Sequence, residues 1–321
     1  MRHLLLIVGP VVLVACCYTV TYSRTHDRVT RRVDPEPLPS VANDSPDTSS
    51  GQPLDQKCHA VSVQIANRVG AVATTTLVRA PFVILSDLPD AALAKLHAES
   101  IQPLAEALWR TYFDRQPEEP LVLLLCSNES LYRDLAQQFD GYDPIAYDGY
   151  FQRGERRLML NLASGEGTLA HELCHALAAV DAPHLPEWFD EGLAALHEQI
   201  RFSDDRLLVW GEPNWRCRIV QNALAAGSLP RIADFVSRES FRGDDEGLNY
   251  AFARSLCLFL QERGLLAHYV RKLRCGPPDT SRGLIPLQRL LGVATPGAVD
   301  DALQNWLLLR QETTPGTASQ R

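Results

Sequence analysis

Residues 168–192, TLAHELCHALAAVDAPHLPEWFDEG, constrain this chain more than any other stretch. They contain His171-Glu172-Leu173-Cys174-His175, an H-E-x-x-H run. On a helix, positions i and i+4 stack on one face, so both imidazoles can reach one metal ion. Glu172 sits about 100° round from His171, close enough to act on a metal-activated water without being a ligand. Two neutral nitrogen ligands with a carboxylate base beside them suit zinc hydrolysis. Local signals agree with a helix. Thr168 is the expected N-cap, Leu169, Leu173, Leu177 and Val180 form an apolar stripe away from the histidines, and Asp181-Ala182-Pro183 ends the run. A second helix is expected from Pro186, with Glu187 in its first turn, carrying Trp188-Phe189-Asp190-Glu191-Gly192 toward Leu196.

Zinc needs a third protein ligand, and three candidates follow. Asp181 lies ten residues after His171, where an extended H-E-x-x-H-x-x-G-x-x-H pattern places its last ligand, but that pattern turns the chain at a glycine and this chain has Ala178. His184 is in the loop beside a proline. Glu191 is one helix on, and an antiparallel return would bring it beside His175; it is favoured over the other two.

His171-Glu172-x-x-His175 followed by P-E-W-F-D-Glu191-G-L-A resembles the gluzincin peptidases, whose second motif reads W-x-x-E-G-x-A. The likeness is greatest to the bacterial peptidase-MA-like domain, a relative of the aminopeptidase N and thermolysin types. The resemblance implies one zinc ion on His171, His175 and Glu191, with Glu172 as general base. It extends loosely over about residues 80–310 and implies an α+β, zincin-like fold: a small mixed sheet with its edge strand over the active-site helix, then a mainly helical C-terminal half. One position departs. The related enzymes carry an Asp four residues after the ligand Glu, and here that place is Ala195, so another acceptor must orient a histidine.

The first 23 residues have a basic start at Arg2 and an apolar run from Leu4 to Val20, a secretion leader or membrane anchor. Leu13-Val14-Ala15-Cys16 resembles a bacterial lipobox, with Cys16 as the lipidated residue. The other reading is a retained helix just long enough to span a bilayer. Both put the rest outside the bacterial cytoplasm and tie it to the membrane. Residues 24–57, basic and then rich in Pro, Ser, Asp and Gly, are expected to be a disordered tether, and residues 312–321 a disordered tail. The net charge of −8 argues against nucleic acid as a partner. Neither a Gly-rich phosphate loop nor a G-x-S-x-G elbow occurs.

Residues 58–165 read as alternating strand and helix: strands at 81–86 and 121–125, helices at 89–113 and 130–139, and a hairpin of 150–153 with 157–162 about Gly154-Glu155. In zincins an edge strand pairs antiparallel with the bound peptide, which here assigns Gly149, Tyr150 and Phe151 to substrate binding. Residues 166–311 carry the zinc site and then helices at 215–226, 232–237, 248–261, 265–274 and 299–309. Within one of these, Tyr250 is a candidate oxyanion donor and Arg254 a candidate substrate clamp, one turn apart. The six cysteines after the leader lack C-x-x-C spacing. Cys217, Cys257 and Cys275 are candidates for disulfides, and Cys174 reads as a packing residue. Two functions result: a zinc peptidase acting on a peptide or protein, or a non-catalytic extracytoplasmic binding module that keeps the fold.

Overall fold

The computed structural model describes residues 52–70, 74–238, 241–243, 245–275 and 281–313, all within one unit, Glu36–Arg321. The leader, Cys16 and most of the tether and tail lie outside these residues. Among the described residues no helix is long and apolar enough to cross a membrane.

The fold is α+β. It begins with α1 (Leu54–Val69), which corrects the expected tether boundary: residues 54–57 are already helical. Only Cys58, Ser62 and Val69 of α1 are buried, so its amphipathic signal is faint. A strand absent from the sequence reading follows, β1 (Thr75–Arg79), paired antiparallel with β2 (Phe82–Ser86). The expected helix at 89–113 is three consecutive pieces: α2 (Asp90–Leu96), a π turn (His97–Ile101) and α3 (Gln102–Tyr112). Next come β3 (Leu121–Cys126) and α4 (Glu129–Asp140), whose Asn128 side chain accepts from the Leu131 amide as N-cap. The hairpin is β4 (Gly149–Gln152) and β5 (Arg157–Asn161).

The sheet order is β1-β2-β3-β5-β4. β2, β3 and β5 run parallel, while β1 and β4 are antiparallel edges. β2, β3 and β5 are buried along their whole lengths, because helices cover both faces and strands between them become continuous apolar runs. Cys58 and Val69 of α1 pack with Tyr132, Leu135 and Phe139 of α4 on one face. On the other face lie α2, α3 and α5 (Glu166–Asp181).

α5 is followed by α6 (Glu187–Leu196), a short hairpin of β6 (Ile200–Phe202) and β7 (Val209–Gly211), α7 (Arg216–Ala225), α8 (Ile232–Ser237) and α9 (Glu246–Glu262). The chain closes with α10 (Leu266–Cys275), α11 (Leu284–Leu291) and α12 (Pro296–Thr313). α12 runs past the expected tail boundary at 311. α9 is the interior helix of this half: every residue from Asn249 to Leu260 is buried. It lies against α6 so closely that a Cβ on Gly192 would meet Ala253 O at 2.8 Å, which is why a glycine follows Glu191. Phe189, fully buried on α6 against Tyr269, contributes about 2–3 kcal/mol by area. The six cysteines of the described residues are free thiols, which corrects the disulfide expectation.

Candidate metal centre

α5 starts three residues earlier than the Thr168 cap suggested. Its N-cap is Gly165, at φ 97°, and Thr168 lies within the first turn. The helical periodicity then stacks the two imidazoles as expected, with ring centroids 4.9 Å apart. α6 returns Glu191 to them. His171 Nε2 and His175 Nε2 are 3.2 Å apart, and Glu191 Oε2 lies 3.5 Å from the first and 3.4 Å from the second. Three donors at about 2.0–2.2 Å from a tetrahedral zinc would be separated by about 3.3–3.5 Å, so the triangle has the size of one such ion. Glu191 Oε2 is buried without a hydrogen-bond partner, and a cation at the centre would satisfy it. The donor set of two imidazoles and one carboxylate also suits zinc.

The other third-ligand candidates are elsewhere. Asp181 is 4% exposed and holds the Asp114 amide at 2.9 Å and the Arg274 guanidinium. His184 is exposed in the loop between α5 and α6.

Each imidazole turns its other nitrogen to a carboxylate, and neither carboxylate was singled out in the sequence. His175 Nδ1 faces Asp190 Oδ2 at 3.2 Å, and His171 Nδ1 faces Glu198 Oε1 at 3.4 Å. Such contacts fix the tautomer that presents the Nε2 lone pair. Glu198, just past the end of α6, is itself held by two 3.0 Å bonds from Arg216. These residues supply the acceptors that the alanine at position 195 left missing. Asp190 was legible in principle, as an acidic neighbour of the ligand Glu, whereas Glu198 needed the path of the chain after α6.

Electrostatics follow from this packing. Burial would lower the His171 pKa, but Glu191 and Glu198 outweigh it and raise it to about 9. Burial would raise the Glu191 carboxyl, but the two imidazoles hold it well below the usual range. Arg216 and His171 likewise overcome burial to bring Glu198 to about 2. Glu172 goes the other way, raised by burial at 7% exposure. A carboxyl with its affinity for protons raised is suited to general-base work near neutral pH.

The remaining predicted residues divide. Tyr250 joins the centre: its ring centroid is 6.4 Å from that of His171, and burial, with the Glu191 carboxylate beside it, raises its pKa well above the usual range and keeps it protonated. Arg254 does not join it, which corrects its assignment as a substrate clamp. At 0% exposure, it donates from Nε to Ala195 O at 2.9 Å and from Nη2 to Leu196 O at 3.4 Å and to Glu212 O. It is a structural tie between α9, the end of α6 and the residue that follows β7. An arginine does stand at the site, but it is Arg242, whose Nη2 is 3.3 Å from Glu191 Oε1 and whose guanidinium lies 5.0 Å from the Tyr147 ring centroid. It lies in a loop between α8 and α9, where no periodicity marks it. With Arg242 on Oε1, Oε2 is the oxygen left for a metal.

β4 is an edge of the sheet. Gly149 touches α5: a Cβ there would come 3.0 Å from Thr168 Cγ2 and 3.1 Å from Glu172 Cγ. Tyr150 points to the opposite face, where its hydroxyl donates to Asp140. Its side chain is therefore removed from the metal face, and only its backbone is on the edge. Phe151, on the α5 side again, is half-buried. Cys174 is fully buried and packs, as expected.

No family model matches this chain, and no curated protein matches it.

Proposed function

We propose that this chain is a zinc-dependent peptidase of the gluzincin type. The reading is carried by the triangle of His171 Nε2, His175 Nε2 and Glu191 Oε2, sized for one tetrahedral cation and flanked by the buried carboxyl of Glu172. His171, His175 and Glu191 are the residues that would hold the ion. Zinc, when bound, supplies Lewis acidity that polarises a scissile carbonyl and makes water easier to deprotonate.

The chain's own residues do the rest. Glu172 takes the proton of the attacking water and returns it to the leaving amine. Its buried environment raises its pKa, which strengthens it as the base that takes this proton. Tyr250, kept protonated, donates to the substrate carbonyl oxygen as negative charge develops there. Asp190 and Glu198 hold the imidazoles in one tautomer, and Arg242 restrains Glu191 through its second oxygen. The free edge of β4 over Gly149–Phe151 binds an extended peptide by main-chain pairing. The sequence before α1 supports an extracytoplasmic, membrane-tethered location through a lipid on Cys16 or a retained helix.

The test is metal content together with cleavage of a mixed peptide library by wild type and Glu172→Gln. The expected result is one zinc per chain in both proteins and hydrolysis reduced about 10²–10⁴-fold in the variant. Equal activity removes Glu172 from the mechanism. A zinc-loaded wild type that cuts no peptide returns the chain to a binding module.

A further inference from the structure

We infer that the substrate carries an acidic side chain shortly before the bond to be cut, received by an arginine-walled cleft at the far end of β4. This rests on the peptidase reading and adds the class of substrate. The cleft has a volume of about 640 Å³. It is lined by Phe151 and Arg153 at the end of β4, Arg156 in the following turn, Arg115 from the loop before β3, and Ala176 and Ala179 of α5.

Its position follows from how β4 lies along α5. Gly149 abuts Glu172. Ala176 is one helical turn beyond Glu172 on the same side, and two residues along β4 from Gly149 is Phe151, at the cleft. Arg153 reaches past the end of α5, to Pro183 O at 3.3 Å and Asp190 Oδ2 at 3.0 Å. The strand therefore leads from the general base into the cleft. A peptide antiparallel to β4 runs with its N-terminal side toward Arg153. At about 3.3 Å per extended residue against 5.4 Å per helical turn, the side chains one to three residues before the scissile bond are those that reach the cleft.

Charge selects what enters. Arg153 is paired with Asp190. Arg115 and Arg156 are exposed, and neither has a carboxylate partner among the described residues. Glu118 also lines the cleft, while Glu119 is held by Lys57. The balance is positive on a chain of net charge −8. Guanidinium groups bind carboxylates as a two-pronged fork. Arg153 is unsuited to the test, because it shares Asp190 Oδ2 with His175 Nδ1.

The experiment uses the zinc-loaded full chain and matched peptides with Glu, Gln or Lys at each of the three positions before the cut. Wild type is expected to prefer Glu over Gln at least tenfold in kcat/KM at one position, with Lys least favoured. In the double variant Arg115→Glu, Arg156→Asn that order reverses, mainly through KM, with zinc content and circular dichroism as in wild type; Asn suits the φ of 46° at position 156. A Glu-to-Gln ratio near one, or one unaltered in the variant, overturns the inference. Binding of the same peptides to zinc-loaded Glu172→Gln, read by fluorescence anisotropy, separates the two readings. Glu preference in binding with no cleavage by wild type keeps the cleft and removes the peptidase; cleavage without preference does the reverse.

Discussion

Gly149→Ala tests whether the edge strand is packed against Glu172, the proposed general base. The added methyl carbon would sit 2.7 Å from Leu160 Cδ1, 3.0 Å from Thr168 Cγ2 and 3.1 Å from Glu172 Cγ. Carbon atoms in contact prefer about 3.5–4.0 Å, so Leu160 must yield most and Thr168 and Glu172 by a few tenths of an ångström. Leu160 is fully buried and has little room, so the strain falls on β4 and on the Glu172 side chain. Overpacking of this kind costs about 1–3 kcal/mol of stability. A base misplaced by a fraction of an ångström to 1 Å loses up to about 10²-fold in rate. The expected variant unfolds at lower denaturant, binds zinc with full stoichiometry and cleaves peptides about 10–100-fold more slowly in kcat. Zinc titration, urea unfolding and steady-state kinetics on one preparation read all three. Wild-type kcat would refute the argument that Gly149 sets the position of Glu172.

Three further outcomes follow from the same geometry. Glu191→Ala removes one of three ligands, and zinc occupancy after dialysis should fall well below one; full occupancy would move the third ligand away from position 191. Glu198→Gln weakens the hold on His171 Nδ1 at 3.4 Å and should weaken zinc binding about 10–100-fold, measured by competition with a chelator; unchanged affinity would make Glu198 a partner of Arg216 only. In the metal-free protein the His171 pKa is about 9, above its unfolded value of about 6.5. That contribution to stability is complete below about pH 6.5 and is lost as pH rises through about 9. Urea midpoints of the metal-free chain should decline across that window, while apparent zinc affinity climbs as protons leave the site; a zinc affinity independent of pH between 6.5 and 9 would contradict the proton-filled triangle.

Much of this was legible from residue spacing. The H-E-x-x-H run on α5, the Pro186 start of α6 and the proximity of Glu191 need only helical periodicity and a tight reversal. The buried strands β2 and β3 announce themselves as unbroken apolar runs. β1 did not, because its half-buried pattern is too weak to separate from a loop. α1 was hidden by polar composition, since it buries so few residues. Tyr250 and Arg254 were assigned together because they share a stripe on α9. On a helix buried all round a stripe does not identify a single environment, and one turn moves the guanidinium from the metal to the carbonyls of Ala195 and Glu212. Arg242 had no regular element to mark it. Its role depends on how the loop between α8 and α9 crosses Glu191.

The near-contact of Gly192 with Ala253 O also bears on the order in which the protein comes to life. The helix bearing the carboxylate ligand is braced by a helix made far later in the chain. A ribosome-bound fragment that ends between them holds His171, Glu172 and His175 but lacks the α9 surface against which the Glu191 helix packs. On the proposed reading, metal binding and peptide cleavage would therefore both wait for that interior helix.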